Sequence, residues 1–214
     1  MTEIVERPGP LGRLRSRQAG RPSGLLGRVM GRAMVKDTAV PNDAAIEMLD
    51  VPAGSTVLDV GFGQGRTIQR LVRAGYELVG VEVSPTMLSQ ATARNRTACR
   101  DGRARLVLGD GVTLPLEDDS VDGAITVHTV YFMPDPARTI RELSRVLRPD
   151  ALLVMACRVG EDAMPGWMDP GVYRIPTSDE ITEMLESAGF RDVARTSRPD
   201  VSDHTHWFSG RAPV

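Results

Sequence analysis

One acidic residue and three glycines form the clearest chemical pattern in this chain of 214 residues. The stretch VLDVGFGQGR places Asp59 at the end of an apolar run, and Gly61, Gly63 and Gly65 follow at every second position. Glycine lets the backbone turn tightly and approach a ligand closely, because no Cβ atom stands in the way. A helix that begins after the glycines would point free backbone N–H groups at the same space. The stretch therefore predicts a ligand-binding loop.

The spacing of the glycines separates two classes of ligand. A dinucleotide-binding loop has its third glycine five residues after the first, and Arg66 occupies that position here. The third glycine of this chain comes one residue earlier, at Gly65, and Asp59 lies where a carboxylate would be poorly placed beside a pyrophosphate. A ligand with a positive charge suits this carboxylate better. An NAD-dependent oxidoreductase remains an open alternative, which predicts nicotinamide binding instead.

Apolar runs that alternate with amphipathic segments must position this loop. The runs TVLDVG, ELVGVEV, ARLVLGD, GAITVHT and ALLVMACR are separated by helical patterns such as GRTIQRLVRAG, SPTMLSQATARNR and ARTIRELSRVL. This alternation predicts an α/β fold with a doubly wound, mostly parallel sheet and helices on both faces. Ligands bind beyond the carboxyl ends of the strands in such sheets, where the winding reverses. The glycine loop follows the first strand and falls at that place.

Two further carboxylates follow strands of the same predicted sheet. Glu82 ends the second strand in VGVEVSPTML, and Asp110 follows the third in LGDG. A carboxylate at position 82 can accept hydrogen bonds from both hydroxyls of a ribose, as any nucleoside ligand would require. With LDVGFGQG, these motifs resemble those of class I S-adenosylmethionine-dependent methyltransferases. Residues 114–155 are similar to the type 11 group of that class, which includes quinone C-methyltransferases.

The resemblance implies a Rossmann-like sheet of seven strands whose last strand, THWFSGRAP, runs antiparallel. It implies S-adenosylmethionine as cofactor and S-adenosylhomocysteine as product. Asp110 would accept from the adenine amino group, while Val83 and Met87 would pack on the adenine ring. Phe62 stands where the family usually has Cys, Ser or Thr, and we interpret it as part of the wall. The cofactor-binding residues implied are Asp59, Gly61, Gly63, Gly65, Glu82, Val83, Met87, Asp110 and Gly111.

The same resemblance places the methyl acceptor, expected to be a small organic molecule, at the ends of the fourth and fifth strands. His128 and Tyr131 are the catalytic candidates there. With an ordinary pKa near 6.5, a histidine at position 128 suits a base or a group that orients the acceptor. The alternative is that His128 packs in the wall and bonds a carbonyl. Other residues expected around the acceptor are Met34, Phe132, Arg158, Trp167, Met168 and Tyr173.

The N-terminal part of the chain differs in composition from the rest. Residues 1–21 are rich in Pro, Gly and Arg and predict a flexible basic arm, and residues 22–40 predict a helical lid segment. We expect the methyltransferase domain over residues 41–214, beginning with a helix that Pro41 opens. A net charge of −2 gives no general attraction to nucleic acid or to an anionic membrane. RNA methylation guided by the basic arm and a non-catalytic cofactor-binding accessory protein remain alternatives.

Cysteine and histidine usage predicts neither disulfides nor a metal site. Cys99 and Cys157 form no CxxC pair, which is typical of a reduced, cytoplasmic protein. The pair His204 and His206 is weak evidence for a metal, because no acidic or Cys cluster accompanies it. We expect no signal peptide and no membrane span. The oligomeric state is left open, with a homo-oligomer as one option.

Overall fold

The protein is described from a computed structural model that covers residues 8–214, apart from the side chains of residues 31–37. The strands are β1 (Thr56–Val60), β2 (Glu77–Glu82), β3 (Ala104–Leu108), β4 (Val121–Val127), β5 (Leu147–Cys157), β6 (Arg191–Ser197) and β7 (His206–Arg211). The helices are α1 (Pro10–Gly20), α2 (Gly24–Met48), α3 (Arg66–Arg73), α4 (Pro85–Arg94), α5 (Arg96–Arg100), α6 (Pro136–Val146) and α7 (Ser178–Ser187). A short 3-10 helix spans Val130–Phe132.

The seven strands form one sheet in the order β3-β2-β1-β4-β5-β7-β6. Strand β1 pairs in parallel with both β2 and β4, so the winding reverses at β1. Strand β7 lies antiparallel between β5 and β6. The predicted fold class, including the antiparallel last strand, is confirmed. The carboxyl ends of β1, β2 and β4 therefore meet at one crevice.

Apolar side chains on both faces of the sheet make the core. Neighbouring residues of a strand point to opposite faces, and Phe208 and Trp207 of β7 accordingly belong to two different buried clusters. Leu58 of β1 belongs to the same cluster as Phe208, and Val57 belongs to the same cluster as Trp207. A sheet covered on both faces explains why the strands are continuous aliphatic runs.

Residues 10–20, within the flexible basic arm predicted over residues 1–21, form helix α1. Ser16 Oγ donates to the Trp167 carbonyl at 3.2 Å and accepts from the Asp169 N–H at 2.9 Å. The Arg15 guanidinium lies 3.8 Å from the centre of the Trp167 ring. Because these contacts come from a loop about 150 residues away, composition around α1 gives no sign of them.

Helix α2 continues through Pro41, so the separate helix that Pro41 was expected to open does not exist. Proline costs one helical hydrogen bond, and two other hydrogen bonds hold this segment of the helix in place. The Pro41 carbonyl accepts from the Trp207 indole N–H at 3.2 Å, and Asn42 Nδ2 donates to the Thr38 carbonyl at 2.6 Å. The division into residues 1–21, 22–40 and 41–214 stays a prediction, but α2 crosses its second boundary.

Candidate active site

A cavity of about 190 Å³ lies at the carboxyl ends of β1, β2 and β4. The residues predicted from sequence that line it are Asp59, Gly61, Gly63, Glu82, Val83, Met87, Asp110 and His128. Gly65, Gly111 and Tyr131 lie outside its lining. The crevice predicted from the strand order thus holds most of the residues that the motifs singled out.

Asp59 is a buried carboxylate, only 4% exposed, and its Oδ2 atom has no hydrogen-bond partner among the described residues. Burial, together with the nearby charge of Glu82, raises the pKa of Asp59 to about 8. A buried carboxylate oxygen without a partner is costly. A positively charged group in the cavity would satisfy this oxygen and favour the ionised form.

Glu82 ties the glycine loop to the end of β2. Its Oε2 atom accepts from the Gly63 N–H at 2.9 Å, and its Oε1 atom accepts from the Ser84 N–H at 2.8 Å. Burial raises the pKa of Glu82, and the backbone N–H bonds oppose this rise. These bonds fix the orientation of the carboxylate while it still lines the cavity.

Two glycines of the loop are required by close packing and by a left-handed backbone. Gly61 has φ +78°, and a Cβ atom there would lie 2.3 Å from Thr129 Oγ1. Gly65 has φ +71° immediately before α3, and a Cβ atom there would lie 2.7 Å from Asn95 Nδ2. Gly65 therefore shapes the loop and the start of α3 without lining the cavity.

The side of the cavity expected to hold the adenine is formed by α4 and the loop after β3. Met87 is buried against it, and its N–H donates to Ser84 Oγ, which caps α4. Asp110 is exposed at the rim, and its Oδ1 atom accepts from the Val112 N–H at 3.0 Å. Phe62, interpreted above as wall, is buried in the core and also lines the cavity.

His128 follows β4 with φ +56°, a left-handed backbone conformation that is uncommon for residues other than glycine. Its Nδ1 atom lies 2.9 Å from Tyr131 Oη. Tyr131 Oη also accepts from the Arg158 N–H, which holds the phenol beside the imidazole. Burial, assisted by the Arg158 charge, lowers the pKa of His128 to about 4. The imidazole is therefore neutral at physiological pH, rather than titrating near 6.5.

Several lining residues come from segments that the sequence analysis did not connect with the cofactor. Ala19, Gly20 and Pro22 reach the cavity from the junction of α1 and α2. Ser84 Oγ donates to the Pro22 carbonyl, which fastens this junction to the start of α4. These residues belong to no recognisable motif, so only the tertiary structure finds them. Asn42, Phe132, Met133 and Pro134 also line the cavity.

The residues expected around the acceptor are only partly brought together. Phe132 lines the cavity, and its ring centre lies 4.9 Å from that of Tyr173. The Tyr173 ring in turn contacts Trp167 at 5.9 Å. Four other residues expected there do not line the cavity: Arg158, Trp167, Met168 and Tyr173. The side chain of Met34 is outside the described residues.

The histidine pair near β7 has polar partners on the protein. His206 Nε2 lies 3.3 Å from Asp162 Oδ1, and His206 Nδ1 lies 2.9 Å from Ser197 Oγ. His204 is exposed. Across the part of the chain that the structure describes, no three His, Cys, Asp or Glu side chains cluster as a metal site would need.

Replacing Asp59 with Asn is expected to stabilise the ligand-free protein increasingly as the pH rises from 5 to 8. The unfolded chain loses the Asp59 proton near the ordinary pKa of 3.8, whereas the folded protein holds it to about 8. Over this window the folded state binds more protons, so rising pH destabilises the wild type at this site. Urea unfolding of both proteins at several pH values measures the difference. A difference in unfolding free energy that is constant with pH would contradict the burial argument.

The sequence of this chain is similar to those of known methyltransferases. Residues 58–155 match the family described as methyltransferase domain. The methyltransferase GfsG of Streptomyces halstedii is 40% identical over 168 residues, which cover 72% of this chain and 60% of the relative. The O-methyltransferase resE of Aspergillus sclerotiorum is 28% identical over 160 residues, covering 71% and 61% respectively. This chain thus spans about three fifths of the length of these two relatives.

A crystal structure of an S-adenosylmethionine-dependent methyltransferase from Aquifex aeolicus has the same fold. It superposes with a TM-score of 0.67 at 22% identity, covering 80% of this chain and 89% of the other. Fold and cleft together define a class I S-adenosylmethionine-dependent methyltransferase domain. Residues 58–155 of this chain belong to the methyltransferase-domain family.

The cleft fits the cofactor of this family. S-adenosylmethionine carries an ammonium, a sulfonium and a ribose, and it has no phosphate. The unpartnered Oδ2 atom of Asp59 offers an acceptor for the cationic part, and Glu82 lies at the neighbouring strand end with its carboxylate in the cavity. Among the described residues, no helix is both long and apolar enough to cross a lipid bilayer.

Proposed function

We propose that the protein transfers a methyl group from S-adenosylmethionine to a small organic acceptor. The observation that carries this proposal is the pair of buried carboxylates, Asp59 and Glu82, in one cavity beside the glycine loop. Burial and the nearby charge of Glu82 disfavour the ionised form of Asp59, and a cationic nucleoside compensates this cost. When bound, the cofactor supplies an electrophilic methyl group on a sulfonium.

The acceptor side is built for positioning and for exclusion of water. Phe132 and Met133 give the cavity apolar walls there, and His128 faces the cavity from the end of β4. Because its pKa is lowered to about 4, His128 acts as a neutral hydrogen-bond partner that orients the acceptor. Tyr131 holds the imidazole in place through Nδ1. Orientation and desolvation are the main sources of rate in such a site.

The dimensions of the cavity and the name of one relative both support a small acceptor. The N-terminal junction at Gly20 and Pro22 borders the cavity and narrows the space beside Phe132. The relative resE is named as an O-methyltransferase, which supports an acceptor with a nucleophilic oxygen, such as a phenolate or an enolate that has already lost its proton to solvent.

The test is release of S-adenosylhomocysteine by the full chain with S-adenosylmethionine and a panel of phenols, enols, carboxylic acids and amines. We expect acceptor-dependent release with at least one oxygen nucleophile, and its loss in Asp59→Asn. Asp50→Asn, an exposed carboxylate before β1, is the matched control and should behave as the wild type. Release that depends on RNA and on none of the small molecules would favour the RNA alternative. Cofactor binding without release would favour the accessory protein.

Replacing His128 with Asn should lower turnover roughly 100-fold while the cofactor dissociation constant stays within about twofold. The expected loss arises from a misplaced acceptor, since Asn cannot keep both the Tyr131 contact and the ring surface in the cavity. His204→Asn, at an exposed position, should leave both constants unchanged. A neutral His128 also predicts no inflection from this residue in the turnover profile between pH 6 and 8. Equal losses of turnover and cofactor affinity would remove His128 from the acceptor site.

A further inference from the structure

The proposed mechanism leaves the outer surface of the first two helices unused. Residues 8–36 contain seven Lys or Arg and no Asp or Glu. Because the whole chain carries −2, the remaining residues carry −9. The small net charge of the whole chain is therefore the sum of a strongly cationic segment, residues 8–36, and a negatively charged remainder.

The same segment has several largely exposed aliphatic side chains. Leu11 of α1 is 82% exposed, and Leu25 and Val29 of α2 are 79% and 63% exposed. Helical spacing explains the exposure of the α1 leucines, because Leu11 and Leu14 lie on the side of α1 away from buried Ser16. Leu25 and Val29 are likewise one turn apart on α2. We call this region the α1–α2 surface; it consists of Leu11, Arg13, Leu14, Arg17, Arg21, Leu25, Leu26, Arg28 and Val29, all of them exposed.

We propose that the α1–α2 surface docks on a bilayer containing anionic phospholipids. Aliphatic side chains of a cationic amphipathic segment enter the boundary between headgroups and acyl chains, while arginines pair with lipid phosphates. Both kinds of side chain alternate here along two helices that contact each other. An anionic bilayer can contact the aliphatic side chains with its acyl chains and the arginines with its phosphates.

Two other occupants fit the composition less well. A second copy docking through the same surface would set one cationic segment against another, which repel each other. An RNA backbone would pair with the arginines, but phosphates offer nothing to the exposed Leu and Val side chains. Both are distinguished from lipid by the experiment below.

The α1–α2 surface adjoins the cofactor cavity. Ala19 and Gly20 at the end of α1 and Pro22 between the helices line that cavity. A docked bilayer would therefore lie next to the mouth of the cleft. Docking on a bilayer would not depend on the proposed methyl transfer.

Sedimentation of the full chain with large unilamellar vesicles tests the proposal. We expect the partition coefficient to be about tenfold or more higher on vesicles of phosphatidylcholine with phosphatidylglycerol than on phosphatidylcholine alone, and to fall with added salt. Arg13→Glu with Arg17→Glu, and separately Leu25→Ser with Val29→Ser, should each reduce it about tenfold. The matched controls are Arg96→Glu with Arg100→Glu, an exposed pair at the same spacing on α5, and Leu108→Ser on β3. Both controls should bind as the wild type.

Three outcomes would overturn the proposal. One is equal or absent sedimentation of the wild type on both vesicle types. Another is loss of binding with the Glu variants but not with the Ser variants, with an RNA gel shift showing the same dependence. The third is a dimer in analytical ultracentrifugation that the Ser variants dissociate. Cofactor calorimetry on each variant, whose substitutions lie outside the cavity lining, verifies the folded state independently of lipid binding and of turnover.

Discussion

Replacing Glu82 with Gln is expected to weaken binding of S-adenosylmethionine about 100-fold, since hydrogen bonds to a charged partner contribute about 1.5–3 kcal/mol each. The wild-type carboxylate accepts from the N–H groups of Gly63 and Ser84 and faces the cavity. An amide has one oxygen for these partners, and its NH₂ group would meet a backbone N–H donor. The loop is then held less well, and the ribose hydroxyls lose their acceptor. Isothermal titration calorimetry of both proteins gives the ratio of dissociation constants.

The matched control for this prediction lies on the same strand. Glu77 begins β2 at the opposite end and is exposed, so Glu77→Gln should bind the cofactor as the wild type does. A dissociation constant for Glu82→Gln within threefold of the wild type would show that this carboxylate does not contact the ligand.

Replacing Gly61 with Ala is expected to destabilise the fold by about 2–5 kcal/mol and to reduce cofactor affinity with it. A left-handed backbone costs an L residue roughly 1–2 kcal/mol, and overpacking adds about 1–3 kcal/mol. The new Cβ atom would lie 2.3 Å from Thr129 Oγ1 and 2.4 Å from its Cγ2. Urea unfolding monitored by circular dichroism measures the loss.

Gly63 provides a control with the same backbone region and no crowding. Its φ is +54°, and a Cβ atom there would meet nothing within 4 Å. Gly63→Ala should therefore cost only the backbone part, roughly 1–2 kcal/mol. Thr129→Ala should recover part of the loss in Gly61→Ala in a double-mutant cycle. Equal losses at positions 61 and 63, with no coupling to Thr129, would contradict the packing argument.

The features predicted correctly from the sequence are those encoded within a few residues. The aliphatic run before Asp59 indicates a buried strand, and the glycines after it indicate a tight turn, because both follow from local chemistry. Strand order then brings Glu82 to the same crevice by topology alone. Asp59, Gly63 and Glu82 do line one cavity, as the strand order predicts.

The features missed depend on contacts between distant segments. Helix α1 rests on the loop that holds Trp167, and α2 passes through Pro41 where the indole of Trp207 bonds its carbonyl. Local propensity argues against both. The protonation state of His128 is a similar case, because burial and Arg158 set it, and neither can be read from the residues beside it.

Calorimetry of the purified full chain with S-adenosylmethionine and, separately, with NAD⁺ tests most directly that the cleft is charged for a cationic adenosyl compound. We predict saturable binding of S-adenosylmethionine with one site per chain, strongly weakened in Asp59→Asn, and no binding of NAD⁺ at the same concentrations. Binding of NAD⁺ with indifference to S-adenosylmethionine would contradict the account.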